Sequence, residues 1–356
     1  LGELEADEIE SSIGDYDITE DTSAAYIMGR IDIDNWRLLT GVRYEKTDFT
    51  ANGFLYDGDS EEITAQRFNN SDDYFLPALH IRYSIDDKTQ VRAAWTNSVV
   101  RPGFAQLSPG RLIEKDENDD GEIEYETEFG NPQLKSLESS NIDFGIEHYP
   151  GVASVVSAFV FYKDIKNFAY QTDLGGTAGH EKYEKAFTYV NGDSAELVGI
   201  ELAASKQFTQ LPAPWDGLLI GGNATFVDST ASIGGYDDGE FITRDIPLPS
   251  QSDSSANLMI GYESDRISLR LSANYKSNYL LEVLEPLEAN YDAYVDDQIQ
   301  LDFSLRYYLS ETVKLHFEAL NLTDEIYYSY VKQRNFNSQY ERYGATYKLG
   351  ITFMQF

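Results

Sequence analysis

The chain has 356 residues, 61 Asp and Glu against 27 Lys and Arg, a net charge of −34, no Cys, and 26 Tyr, 19 Phe and 3 Trp. So acidic a chain is a poor nucleic-acid binder, because phosphate contact needs clustered Lys and Arg; the missing Cys excludes disulfides, cysteine metal sites and thiol nucleophiles. The aromatic load argues against disorder, and no apolar run approaches the roughly 18–20 residues of a membrane helix.

In chain order, residues 1–22 come first as an acidic loop: segment 1–21 holds nine acids and no base. The first residue is Leu1 and no basic-then-apolar leader follows, so the sequence reads as cut from something longer. Period-two alternation then predicts thirteen strands, near 23–33, 36–47, 74–85, 89–98, 139–149, 152–163, 195–208, 217–228, 253–262, 266–277, 297–309, 312–321 and 343–354. The clearest is 297–309. There Ile299, Leu301, Phe303, Leu305, Tyr307 and Leu309 alternate with Gln298, Gln300, Asp302, Ser304, Arg306 and Tyr308. A helix would scatter these apolar residues around every face, whereas a strand puts them on one side.

The predicted connections alternate in length. Short ones fall at Asp34-Asn35, Asp86-Asp87-Lys88, Pro150-Gly151, 209–216, Ser264-Asp265 and Ser310-Glu311; long ones span 48–73, 99–138, 164–194, 229–252, 278–296 and 322–342. An up-and-down antiparallel meander with tight turns on one rim and elaborate loops on the other produces this rhythm, as in outer-membrane barrels. Lipid offers no hydrogen-bond partner, so a spanning sheet must close on itself. The expected fold is all-β, an antiparallel up-and-down transmembrane β-barrel.

Charge is segregated on this layout. Loop 278–296 holds five acids and no base, and loop 99–138 holds ten acids against Arg101, Arg111, Lys115 and Lys135. The polar strand faces instead carry eleven bases (Arg30, Arg37, Arg43, Arg82, Arg92, Arg266, Arg270, Lys276, Arg306, Lys314, Lys348) against seven acids. The layout describes a wet lumen below an acidic mouth. Trp36, Tyr44, Tyr83, Trp95, Tyr149, Tyr262, Tyr275, Tyr307 and Tyr347 sit near strand ends, where an aromatic girdle belongs.

Five segments carry a resemblance. They are Trp95 to Pro109, with Arg101-Pro102, Phe104, Leu107 and Pro109; Gly130-Asn131-Pro132-Gln133-Leu134-Lys135; Asn191-Gly192-Asp193 followed by Val198-Gly199-Ile200-Glu201; Asn321-Leu322-Thr323-Asp324; and the end from Tyr347 through Gly350 and Phe353 to Phe356. In this order, across roughly 90–356, they resemble the barrel of TonB-dependent outer-membrane receptors. The resemblance implies a 22-stranded barrel with an N-terminal plug, of which this chain is the C-terminal thirteen strands. The plug and the segment read by a TonB-type energy-coupling protein then lie outside this sequence. It further implies an integral protein of the bacterial outer membrane, in contact with its lipid, that binds a scarce nutrient at the outer loops and imports it. Two positions depart from the family pattern: Ser136 stands where Pro is frequent, and Gln355 takes the last outward slot while Phe356 is displaced by one.

Candidate chemistry is sparse. Residues 116–128 place Asp116, Asn118, Asp120 and Gly121 as in a calcium loop, with Glu122 beside them, but Thr127 replaces the bidentate Glu; the alternative is a solvated acidic turn. No cofactor other than that Ca²⁺ is indicated. His80, His148, His180 and His316 show no zinc spacing, and no Gly-x-Ser-x-Gly elbow is present, so no enzyme activity is expected. Loop aromatics are the ligand-contact candidates: Phe104, Tyr125, Tyr183, Tyr279, Tyr327, Tyr328, Tyr330 and Phe336 would stack on a sugar or a planar metal chelate, or simply on one another. The acidic mouth favours a carbohydrate or other neutral ligand. A passive channel and a surface β-protein for adhesion are the alternatives.

Overall fold

The computed structural model describes residues 9, 11–117, 121–151, 153–237 and 239–354. It opens with β1 (Asp17–Ile33), β2 (Trp36–Asp57), β3 (Glu62–Ser84) and β4 (Thr89–Val100), each paired with the next. The connection after β4 folds a ribbon of its own, β5 (Arg111–Glu117) and β6 (Ile123–Phe129). The hairpin β7 (Leu137–Gly151) and β8 (Ser154–Lys166) follows, then a second ribbon, β9 (Ala169–Asp173) and β10 (Lys185–Asn191). Next come β11 (Ala195–Gln207) and β12 (Leu218–Asp237), the short β13 (Glu240–Ile246), and the hairpin β14 (Ser254–Glu263) with β15 (Ile267–Lys276). A third ribbon, β16 (Tyr279–Val283) and β17 (Asp292–Val295), leads to β18 (Gln298–Ser310) and β19 (Val313–Leu320). The last ribbon, β20 (Ile326–Val331) and β21 (Asn337–Arg342), precedes β22 (Thr346–Phe353).

The wall runs β1–β2–β3–β4–β7–β8–β11–β12–β14–β15–β18–β19–β22, every neighbour antiparallel. These are the thirteen predicted strands in the predicted order, and the six short turns sit where expected. Among the described residues no pairing joins β1 to β22, so the sheet is curved but open. No helix among them is long and apolar enough to cross a membrane, which says nothing of a crossing by strands.

Register explains the alternation. Across β2, β3, β4, β7 and β8, Val42 opposes Pro77, Leu79 opposes Trp95, Trp95 opposes Ile142, and Ile142 opposes Tyr162. The row continues on the same outward face to Leu271, Phe303 and Leu305, and across β19 to Leu349 and Ile351. Leu349 is 80% and Phe353 73% exposed, a cost in water and a gain against acyl chains. On β2 the apolar span closes with two tilted ring pairs, Trp36 with Tyr83 at 4.6 Å and Tyr44 with Phe75 at 5.0 Å between centroids. The stretch from Trp36 to Tyr44 is nine residues long, matching the roughly 9–11 tilted residues that cross the apolar layer. Leu349, Ile351 and Phe353 keep the expected outward phase; Gln355 and Phe356 lie outside the described residues.

The predicted loops need correction. The segment 48–73 is not a loop: β2 and β3 continue as a paired hairpin up to a turn at 58–61. The acidic segment 1–22 ends earlier than expected, because Asp17, Glu20 and Asp21 already pair with β2. The other long connections contain β5, β6, β9, β10, β13, β16, β17, β20 and β21. Beyond the belt both faces of a ribbon are wet or covered by another ribbon, so no long one-sided alternation marks it. Most buried apolar residues lie there, in small clusters such as Phe49, Ala51, Leu107 and Leu134, and Ile165, Phe168, Ala195, Ile233, Ile246 and Leu280.

Candidate functional site

Three regions of the lumen and mouth gather the chemistry. The first is the clamp under the Arg101-Pro102 segment. Arg101 comes off the end of β4 and donates to Glu45 and, at 2.9 Å, to Thr47; Glu20 stands 3.5 Å away. Arg43 donates to the other oxygen of Glu45 at 2.8 Å. Glu45 is almost fully buried, so both guanidiniums compensate one desolvated carboxylate. Pro102, Leu107, Pro132 and Leu134 close over Phe49 beside it, while Pro109 lies against Gly53. Asn131 donates to the Tyr189 carbonyl at 2.9 Å and accepts from the Gln133 amide. These residues anchor the first elaborate loop inside the wall; they offer no ligand surface.

The glycines of the resembling segments share one cause. A Cβ on Gly192 would meet the Phe168 ring at 2.3 Å, one on Gly199 the Phe161 ring at 2.4 Å, and one on Gly350 the His316 ring at 2.2 Å. Each ring, from a neighbouring segment, occupies the space that a side chain at the glycine would need. Asn321 has a different reason: its φ is 56°, in the left-handed region that Asn tolerates, and its carboxamide accepts from the Glu325 amide at 2.8 Å.

The aromatic candidates separate into three places. Tyr183 is buried rather than offered to solvent. With Phe129 it sandwiches the Arg111 guanidinium, 4.1 Å from Phe129 and 4.9 Å from Tyr183. His180 stacks on Phe129 at 6.0 Å. Burial, then the Arg111 charge, hold the His180 imidazole below its usual value. Tyr125 donates to Asp59 at 2.7 Å, and Lys115 and Tyr125 together keep that carboxylate below the usual range. Next to this platform, Leu55, Phe68, Arg111, Phe129 and Gln133 line a recess of about 220 Å³.

Tyr279, Tyr327, Tyr328 and Tyr330 lie on the separate four-stranded sheet of β16, β17, β20 and β21. Tyr330 stacks on Tyr294 at 5.8 Å and Tyr328 donates to the Arg334 carbonyl at 2.6 Å, while Lys276 sits 3.7 Å over Tyr279. Phe104 and Phe336 are exposed; Phe336 lies in the turn between β20 and β21, where its carbonyl accepts from the Val331 amide at 2.9 Å. Of the calcium-loop candidates, Asp116 lies on β5 opposite Glu124, in a hairpin; Asn118 and Asp120 are outside the described residues, and Glu122 follows them at the turn. Among the described residues no three His, Asp or Glu side chains are grouped to hold a metal.

Sequence reasoning missed one feature. Asn223 opposes Asn257, Asn257 opposes Asn274, and Asn274 opposes Gln300, giving one unbroken row of carboxamides on the inner face of β12, β14, β15 and β18. Asn257 donates to Asn223 at 2.9 Å. The row lies just inside the loop-side end of the belt, since its outward neighbours include Tyr275 and Ile299. Its members Asn257, Asn274 and Gln300, with Asn321, Tyr327 and the charged Lys276 and Glu325, line a recess of about 450 Å³. The four residues are far apart in the chain, and only strand register brings them together.

Residues 6–322 match the family model described as TonB dependent receptor-like, beta-barrel. Solved structures share the fold at low identity. The siderophore receptor PiuA from Acinetobacter baumannii superposes with TM-score 0.68 at 17% identity, over 95% of this chain and 44% of that one. The ferric-catecholate import receptor Fiu from E. coli K12 gives 0.65 at 17%, over 95% and 45%. The ferric yersiniabactin uptake receptor FyuA from Yersinia pestis gives 0.59 at 16%, over 94% and 44%. The chain thus spans about half the length of these structures. No curated protein matches it.

Proposed function

The chain belongs to the TonB-dependent receptor β-barrel family of integral outer-membrane proteins, and from that premise we propose that it binds a neutral polyhydroxyl nutrient, such as an oligosaccharide, and imports it under the drive of a TonB-type coupling protein. The observation that carries the ligand class is the carboxamide row from Asn223 to Gln300 with Tyr327 at its border. A carboxamide both donates and accepts, as a sugar hydroxyl does, and carries no charge to be stripped of water. A tyrosine ring beside it supplies the apolar face a pyranose packs on. The net charge of −34 slows the approach of anions and leaves neutral solutes unaffected.

The test is intrinsic-fluorescence titration of the full receptor in detergent with maltotriose, cellotriose and chitotriose. One of them saturates, and Asn274→Ala weakens it at least tenfold. Lack of saturation by all three refutes the ligand class.

A second reading has its own support. PiuA, Fiu and FyuA are named for ferric siderophores, and the Arg111 platform presents a guanidinium between two rings, a surface suited to a planar anionic chelate. Titration with ferric enterobactin separates the two, because Arg111→Ala would then abolish binding and Asn274→Ala would not. A Ca²⁺ bound by the acidic stretch from Asp116 to Glu122 would show as a calcium-dependent shift in loop proteolysis.

A further inference from the structure

At the opposite, turn-side end of the lumen the wall changes character. Arg37 on β2 opposes Arg82 on β3, and Arg82 opposes Arg92 on β4. Three guanidiniums therefore stand in one row across consecutive strands, one residue inside the Trp36–Tyr83 girdle pair. Directly opposed residues have Cβ atoms about 4.5–5.5 Å apart, where like charges repel. The row carries one acid, Asp32 on β1 opposite Arg37, so Arg82 is the member with a base on each side.

The nearby carboxylates are committed to the two outer arginines of the row. Asp32 lies 2.5 Å from Arg37 and 2.9 Å from Arg30. Glu147 holds Arg92 at 3.0 Å and also accepts from Gln90 and from Tyr149. Neither can turn to Arg82 without abandoning its own partners. The middle Arg82 keeps a buried Nε with no hydrogen-bond partner. A buried unmet donor is costly, and on a guanidinium the missing partner is an anion. Arg37, His80, Arg82, Arg92, Asp143 and Phe159 surround a recess of about 510 Å³ in front of it. Asp32 balances Arg37 and Glu147 balances Arg92, and Asp143 is the one acid lining the recess, which leaves Arg82 as the guanidinium of the row without an ion pair among the described residues.

We propose that the Arg37–Arg82–Arg92 row is an oxyanion-binding site at the turn-side end of the lumen, taking a phosphate or a carboxylate group on Arg82. The recess far exceeds a bare phosphate, so it admits that group as part of a larger solute. The site is separate from the carboxamide row, on other strands and at the other end of the belt, so its fate does not depend on the nutrient class.

The experiment is isothermal titration of the full receptor in detergent micelles at low ionic strength, with inorganic phosphate, citrate and chloride as separate titrants. Phosphate or citrate binds saturably in the submillimolar range, and the difference between the two identifies the preferred group; chloride does not bind. Arg82→Gln weakens binding at least tenfold, Arg82→Lys less, and Arg306→Gln, on β18 outside the row, leaves it within twofold. Heat-modifiable migration on a denaturing gel confirms that each variant is folded. No saturation by either oxyanion in the unaltered receptor overturns the proposal, as does a folded Arg82→Gln variant that binds within twofold of it. Should Arg82→Gln fail to fold, Arg92→Gln supplies the same comparison.

Discussion

Replacing Asp292 by Ala removes half of a buried ion pair that ties two mouth segments together. Arg244 on β13 donates to both oxygens of Asp292 on β17, at 2.8 and 2.6 Å, and to the Pro286 carbonyl at 2.5 Å. The Asp292 side chain is 4% exposed and Arg244 19%. By contrast, Arg30 and Asp32 are each more than two-fifths exposed, and a pair of that kind contributes at most about 1 kcal/mol. Stripping one partner from a buried pair costs about 3–5 kcal/mol, because the remaining charge is desolvated without compensation. Arg244 retains its bonds to carbonyls, so the lower bound of about 3 kcal/mol is the expectation, and that is about a 100-fold rise in local opening. Hydrogen exchange on the full receptor reads it directly. Amides of β13 and β17 should exchange about two orders of magnitude faster, while those of β5 and β6 stay as they were. The double variant Arg244→Met with Asp292→Leu should regain most of the protection, since it leaves no lone charge. A loss under threefold at β13 and β17, or an equal loss at β5 and β6, would refute the argument.

Two further outcomes follow from the geometry. The lowered His180 pKa means the unfolded loop binds a proton more readily than the folded one, so the stability it contributes is full above the ordinary value of 6.5 and is lost as pH falls through the lowered folded value. Proteolysis of the 174–184 segment should therefore accelerate below about pH 6 and lose that dependence in His180→Phe; an unchanged pH profile in the variant would show that another group is responsible. Gly350→Ala drives a methyl into the His316 ring and should lower the temperature of barrel unfolding, at a cost of about 1–3 kcal/mol. Adding His316→Ala should restore it, and a double variant as unstable as the single one would rule out the ring contact as the cause.

The wall was legible because its two faces meet different solvents. Ile299 through Leu309 alternate cleanly, since every second side chain faces lipid and the rest face water. That signal fades where the solvents become the same. Asp48–Asp57 reads as a turn-rich loop, with Asn52-Gly53 in its middle, yet it is strand because 62–71 pairs with it above the belt. The ribbon β5–β6 is too acidic and too short to announce itself, and its attachment to β2 depends on a parallel pairing of Leu55 with Arg111 that no local pattern encodes. The site followed the same rule. The Arg101-Pro102 segment was legible by resemblance, but its partner was not, since Glu45 lies on β2 more than fifty residues earlier. Tyr183 packs within the loops, the alternative its sequence left open, and nothing in its own neighbourhood shows that Arg111, seventy-odd residues earlier, lies against it. The carboxamide and arginine rows were invisible for a plainer reason: each is spread over three or four strands and exists only as register.

The rings that fill the side-chain space of glycines have a consequence for transit. Phe161 over Gly199, Phe159 over Gly145 and His316 over Gly350 are pinned by the adjoining backbone, so they behave as tiles laid on the conduit rather than as swinging gates. For the import proposed above, these stretches of wall would serve as fixed masonry, with no methyl-sized gap between ring and backbone.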